Sequence, residues 1–467
     1  MTKDLTVGSP MGLILSFGLP TLLGMLFQQF YNLMDTMIVG KLLGAQALAA
    51  VGSTSSINFF VIGFCMGVCS GFAIPVAQRM GAGDYARMRR HVANAAYLSI
   101  LFATVLTMAT GLLCRTILTV MNTPGDIFAD AERYIFIIFM GIPTTFLYNL
   151  LAGILRSLGD SRTPVYFLAL SSVLNIALDF AFILWFDAGV AGAAIATVVS
   201  QGISGAACLV FMAKKYPVLR MSREERRLNW SSCRTLCIIG VPMGMQYSIT
   251  AIGSIVLQSA VNGLGSTYVA AVAAGSKLFQ LLGCPFDAMG ATMATYCGQN
   301  VGAWKLERLG QGIRACTLLG VLYSALAFGG MLLFSEPCAM LFLNPGEPEV
   351  ERLVALTSQY IVISSAFFIP LSLVNIVRFS IQGMGYSGFA ILAGVLEMAA
   401  RTGVAFFLVP VFGYTAACFA SPAAWVCADL FLIPASLICI GRLRRKMPVQ
   451  AAAREPAPQK TLETART

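Results

Sequence analysis

Predominantly apolar stretches of about twenty residues or more recur a dozen times along this chain, and that length is what a helix needs to cross the ~30 Å hydrocarbon core of a bilayer. They cover residues 11–39, 50–78, 92–113, 134–155, 164–186, 190–213, 236–260, 267–297, 313–334, 356–381, 389–409 and 414–440. Of 467 residues, 57% are hydrophobic and only 11% charged, against about a quarter charged in soluble domains. The expected fold is therefore an all-α integral membrane protein of twelve transmembrane helices. Residues 1–10, MTKDLTVGSP, lack the basic start, short apolar core and small-residue cleavage site of a signal peptide, so the first span is expected to be retained.

The connecting loops alternate in charge. One set collects Arg79, Arg87, Arg89, Arg90, Arg156, Arg162, the run from Lys214 to Arg234, Lys305, Arg308, Arg314 and Arg442 to Lys446. The other set holds few cations and gathers Asp126, Asp130, Glu132, Asp187, Glu336, Glu347, Glu349 and Glu351. The positive-inside rule then places both termini of a multi-pass plasma-membrane protein in the cytoplasm. The net charge of +10 is explained by this topology and calls for no nucleic-acid partner.

The chain also repeats itself. FGLP at Phe17–Pro20 returns as IGVP at Ile239–Pro242, LGAQALAAVG at Leu43–Gly52 as LGSTYVAAVAAG at Leu264–Gly275, and AQRMGAGDYARM at Ala77–Met88 as GQNVGAWKLERL at Gly298–Leu309. NLLAGILRSLGDS at Asn149–Ser161 answers NIVRFSIQGMGYS at Asn375–Ser387. Landmarks that match in order, loop glycines included, mark a duplication. The expected division is a cytoplasmic N-terminus over 1–10, an N-lobe of spans one to six over 11–213, a basic cytoplasmic linker over 214–232, a C-lobe of spans seven to twelve over 233–441, and a disordered cytoplasmic tail over 442–467. An even number of spans per half gives two parallel six-helix bundles related by an axis along the membrane normal, with a substrate path between them.

Five carboxylates fall inside spans: Asp35, Asp179, Asp287, Glu397 and Asp429. A charge at mid-bilayer costs roughly 2.5–3.5 kcal/mol on insertion scales, so each needs a use or a partner. Counting ~1.5 Å per residue from the outer ends of spans one, five and six brings Asp35, Asn175, Asp179 and Thr197 to one depth of the N-lobe. Asn175 and Asp179 are one helical turn apart and share a face. Four oxygen-bearing side chains suit a hard cation such as Na+, and two close carboxylates suit a shared proton, since like charges in a small space disfavour double ionisation. Separate polar residues, each satisfied by backbone or water, would give the same sequence.

The second half has no acid at the positions answering Asp35, where Leu257, Gln258 and Ser259 stand, so coupling is expected to belong to the N-lobe. It has instead Glu397 and Arg401, an i,i+4 pair readable as a structural ion pair or as a gating or proton-relay element. Lys277 and Asp287 lie in span eight on different faces and are free to pair with other helices; Asp429 stands near Trp425 without an assigned role. Prolines inside spans build in bends, and Pro20, in the helix that carries Asp35, is the bend through which an occupied site could be felt. Thirteen cysteines scattered through apolar runs, and His91 as the one histidine, read as packing and surface residues and offer no metal cluster or His-based chemistry.

At these residues the chain resembles the multidrug and toxic compound extrusion (MATE) family, in its bacterial DinF-like and NorM-like branch. MDTMIVGKLLGAQALAAVG at Met34–Gly52, QRMGAGD at Gln78–Asp84, and ILRSLGDSRTP at Ile154–Pro164 with its echo IQGMGYS at Ile381–Ser387 carry the resemblance, which covers about residues 10–440. It implies a secondary antiporter, not an enzyme, that exports cationic lipophilic compounds in exchange for Na+ or H+ by alternating access, with no cofactor beyond the coupling ion and a monomer as the expected state. The family's N-lobe aspartate falls on Asp35 and its companions on Asn175, Asp179 and Thr197. The acid that NorM-like members carry on helix seven is replaced by an uncharged residue near Thr250, which favours coupling through Asp35 and Asp179. The rival on this architecture is a flippase or exporter of a lipid-linked saccharide or metabolite, for which Lys277, Arg378 and Arg401 are the candidate cavity cations. A membrane enzyme is disfavoured by the lack of a nucleophile motif or phosphate loop.

Overall fold

A computed structural model describes residues 3–121, 123–343 and 349–451, and among the described residues every regular element is helical. The helices are α1 Pro10–Leu43, α2 Ala45–Gly81, α3 Tyr85–Val120, α4 (Phe128–Met140 and Ile142–Ser157), α5 Arg162–Phe180, α6 Gly189–Lys215, α7 Trp230–Asn262, α8 Ser266–Gly302, α9 Leu306–Met340, α10 (Val350–Ala366 and Phe368–Gly383), α11 Ser387–Gly403 and α12, residues 414–451. α11 and α12 run almost into one another, but Gly413 between them sits at φ 59°, ψ −137°. A side chain there would be strained, so glycine makes the turn and separates two spans.

The two halves share their irregularities as well as their helices. α4 bends by 46° between its segments and α10 by 51°, in each case just ahead of a proline, Pro143 and Pro370. Proline lacks the N–H that would hold the preceding turn, so a break N-terminal to it is the expected response. α5 and α11 each end in a π-helical turn, Ala181–Trp185 and Val404–Leu408. α1, by contrast, passes through Pro20 as one uninterrupted helix.

The disordered tail is expected from residue 442, but residues 442–451 are helical. α12 continues through Arg442, Arg444, Arg445 and Lys446 to residue 451, because Arg and Lys are good helix formers and a charged helix end is solvated without being melted; residues 452–467 lie outside the described residues.

The lobes meet along α2, α7 and α8. An added Cβ at Gly67 of α2 would stand 2.6 Å from the Met243 carbonyl oxygen and 2.7 Å from the Gly244 Cα of α7, so the two backbones touch and tolerate no side chain there. Contacts of this kind run from the end that carries the basic loops to mid-height, where Gly63 faces Tyr247 and the Ser248 hydroxyl donates to the Phe60 carbonyl at 3.2 Å. Among the described residues no lobe-to-lobe hydrogen bond lies beyond that level. α1 belongs to both cores: Ile14 and Phe17 pack with Phe286, Met293 and Tyr296 of the second half, while Ile38 and Val39 pack with the first.

Candidate functional site

Asp35 on α1, Asn175 and Asp179 on α5, and Thr197 on α6 come together in the N-lobe. The Asn175 amide donates to the Thr197 hydroxyl at 3.3 Å, and that hydroxyl in turn donates to the Ala193 carbonyl at 3.1 Å. Tyr31, one helical turn before Asp35, brings its phenol to 3.4 Å from the same Thr197 oxygen. Since the Thr197 proton is already placed on Ala193, Tyr31 is the donor. The carboxyl groups of Asp35 and Asp179 lie within hydrogen-bond reach of each other, and Tyr134 of α4 is within electrostatic reach of both.

Asn175 and Asp179 are fully buried, and Asp35 is half-buried. Both Asp179 oxygens, Asp35 Oδ1 and Asn175 Oδ1 accept no hydrogen bond from the protein. A buried pocket with this surplus of acceptors is unusual, since buried polar groups are nearly always paired. Its donor set is that of a proton site or of a hard monovalent cation. Tyr31 was the member missed from the sequence; its i,i+4 spacing to Asp35 within the polar run Gln28–Asn32 was the available signal.

In the C-lobe, Glu397 and Arg401 of α11 are paired at 3.5 Å, but the closer partner of Glu397 is Arg378 from α10. All three are buried, at 2%, 6% and 6% exposure for Glu397, Arg378 and Arg401. Asp429 of α12 and Asp287 of α8 lie within electrostatic reach of Arg378. Lys277 is exposed and makes no ion pair among the described residues. The partnership of Arg378 had no helical spacing to announce it.

Where the lobes close on each other they leave a cavity of ≈ 50 Å³, lined from α2 by Ser70 and Ala73, from α4 by Arg156 and from α8 by Ala291, Ala294 and Thr295. Below it the segment before α1 lies across the seam. Its Lys3 N–H donates to Gly159 of the N-lobe, and its Leu5 N–H donates to Gln299 Oε1 of α8 at 2.9 Å.

Two bundles meeting in this way are matched by known proteins. The family model described as MatE matches residues 20–181 and 242–407, more than half of the chain. The chain belongs to the MATE family. The probable multidrug resistance protein YpnP of Bacillus subtilis is 31% identical over 307 residues, 66% of this chain and 68% of that protein. YoeA of the same organism, also described as a probable multidrug resistance protein, is 30% identical over 338 residues, 71% and 73% of the two chains. A multidrug resistance MATE family transporter solved in an outward-facing conformation superposes with a TM-score of 0.87 at 21% identity, covering 95% of this chain and 100% of that one. This MATE protein is thus a multi-pass membrane transporter of the multidrug efflux family and not an enzyme.

Proposed function

We propose that this MATE protein exports cationic lipophilic compounds in exchange for Na+ or H+, coupled through Asp35 and Asp179. The observation that carries the reading is the surplus of unpartnered buried oxygens at Asp35, Asn175 and Asp179, which a single mobile cation would satisfy. Orientation by the positive-inside rule puts the basic loops and both termini in the cytoplasm, so lobes sealed at that end face outward. In that state Asp35 and Asp179 take up the coupling cation. Occupancy neutralises the pair and allows α1, anchored in the C-lobe core by Ile14 and Phe17, to bend at Pro20. A cation can drive the cycle only through its different affinity for the two states, so substrate and coupling cation must favour opposite ones.

A flippase holding a pyrophosphate is less well supported, because Arg378 and Arg401 are committed to Glu397. Transport in proteoliposomes containing the protein as a monomer, with Na+ and pH gradients imposed separately, tests the reading and names the ion. Ethidium efflux is expected to follow one gradient in the wild type and to be lost in Asp35→Asn. Unimpaired, gradient-driven efflux by Asp35→Asn sinks the proposal.

A further inference from the structure

Asp287 is used by nothing described so far, and its position on α8 is informative. Ala291, Ala294 and Thr295 line the cavity between the lobes, and Gly298 faces Ala77 of α2, where an added Cβ would meet the alanine at 3.1 Å. Positions 287, 291, 294, 295 and 298 follow helical spacing and form one stripe, so Asp287 looks toward the N-lobe one turn above the cavity. The other faces of α8 are spoken for: Phe286 and Met293 enter the C-lobe core, and Thr292 approaches Gly18 of α1. Along the stripe the environment changes at Asp287. From Ala291 onward the residues are half-buried or buried, whereas Asp287, Gln280 and Ala273 are exposed. Asp287 therefore stands where the seal between the lobes ends and the cleft opens.

Its charge is also unanswered. Among the described residues Asp287 has no hydrogen bond and no ion pair, and the cation within electrostatic reach of it, Arg378, is already paired with Glu397. The C-lobe cluster carries Arg378 and Arg401 against Glu397, Asp287 and Asp429, which leaves one formal negative charge in excess. Tyr247, on the α7 face that meets Gly63, is within electrostatic reach of Asp287, and Phe379 lines the cavity beside it. An acid with aromatic rings at the foot of a cleft is the chemistry that holds an organic cation, by charge at one end and by ring contact along its body.

We propose that Asp287 is the substrate-recognition carboxylate of the C-lobe, contacting the positive centre of an exported lipophilic cation at the floor of the cleft, separately from the coupling pair Asp35 and Asp179. This rests on the exporter reading above. The substrate then meets one lobe and the coupling ion the other, and the two are linked only through the movement of the lobes.

The test is equilibrium binding to the full chain in lipid nanodiscs, with ethidium as the cationic probe and Nile red as a neutral lipophilic one. Asp287→Asn is expected to weaken ethidium at least tenfold and to leave Nile red within twofold, and Asp287→Glu to recover ethidium binding to within about threefold of wild type. Should the asparagine variant be poorly folded, Asp287→Cys gives a second route. Labelling it with a sulfonatoethyl methanethiosulfonate reagent, which restores a negative charge, is expected to restore ethidium binding, whereas the trimethylammonium reagent does not. Unchanged ethidium binding in Asp287→Asn, or equal losses for both probes, overturns the proposal while leaving the exporter reading in place. A wild type that neither binds nor exports any cationic probe overturns both.

Discussion

Asp35 on α1 and Asp179 on α5 present their carboxyl groups to each other inside a pocket where neither Asp179 oxygen is satisfied by the protein. Two carboxylates held this way share whatever positive charge reaches them, so removing either acid removes the proposed coupling site. Asp179→Asn and Asp35→Asn are each expected to cut gradient-driven ethidium efflux at least tenfold without altering the melting temperature by more than a few degrees. Tyr31→Phe removes one donor to Thr197 and is expected to slow efflux only a few-fold. Initial efflux rates in proteoliposomes check both statements; equal rates for wild type and Asp179→Asn would contradict the first.

Glu397 joins two guanidiniums, and all three groups are buried. Breaking a buried pair costs about 3–5 kcal/mol because the surviving charge is left uncompensated, while replacing all the partners by apolar groups is often neutral. Glu397→Gln strands two cations and is expected to lower the melting temperature more than Arg378→Met, which leaves the Arg401 pair intact. The triple change Arg378→Met, Glu397→Leu, Arg401→Met is expected to recover most of the loss. Thermal unfolding in detergent, followed by tryptophan fluorescence, orders the variants; a triple variant as unstable as Glu397→Gln contradicts the argument.

The positions of the helices were legible in the sequence because each span is long, apolar and bounded by charged loops. Pro143 and Pro370 announced the bent pairs as well. Depth counting brought together Asp35, Asn175, Asp179 and Thr197 because helices of a bundle enter at common levels, so residue number measures height. What it cannot measure is azimuth. Arg378 reaches Glu397 from a different helix, and no periodicity records such a meeting. The contribution of Ile14 and Phe17 to the opposite lobe's core was hidden for the same reason, since an apolar residue in a span looks alike whichever bundle it joins. Residues 442–451, expected as the start of a disordered tail, are helical: charge alternation after residue 441 signals solvent, and a solvated helix end satisfies it as well as disorder does.

The strap before α1 closes the basic end of the molecule. Asn300 donates to the Leu5 carbonyl at 3.1 Å, Lys305 Nζ to the Thr6 carbonyl at 2.8 Å and Arg308 to the Gly8 carbonyl at 2.8 Å. Gln299 is one link between the lobes: it accepts the Leu5 N–H and donates to the Ser157 carbonyl at 2.9 Å. Gln299→Leu leaves both buried groups unpaired, at about 1–3 kcal/mol each, and that cost falls only on the state closed at this end. The variant is expected to raise the population open at the basic end at least about thirtyfold. Distances between spin labels at Arg87 and Gly388, one on each lobe, report it; an unchanged distance distribution would show that the strap does not hold the lobes.

The linker between the lobes is fastened to α3 by a bond that should respond to acid. Arg89 donates to both oxygens of Glu225, at 2.8 and 2.6 Å, and the Ser222 N–H donates to the same carboxylate at 2.8 Å. These donors, Arg89 first, hold the Glu225 carboxyl down at about 2 from its ordinary 4.5. A depressed value in the docked state means that docking gains stability only where the free carboxyl is ionised, above about 4.5, and loses it progressively as pH falls toward 2. Between pH 6 and 8 the contact is therefore expected to be insensitive to pH. Amide exchange over residues 216–229, corrected for the intrinsic rate, should rise as the pH is lowered from 5 to 3 in the wild type. Glu225→Gln should show raised exchange already at pH 7 and no further rise on acidification. Asn94 holds the same segment through the Asn229 N–H at 2.8 Å and does not titrate, so its contribution persists at every pH and keeps the linker from detaching completely.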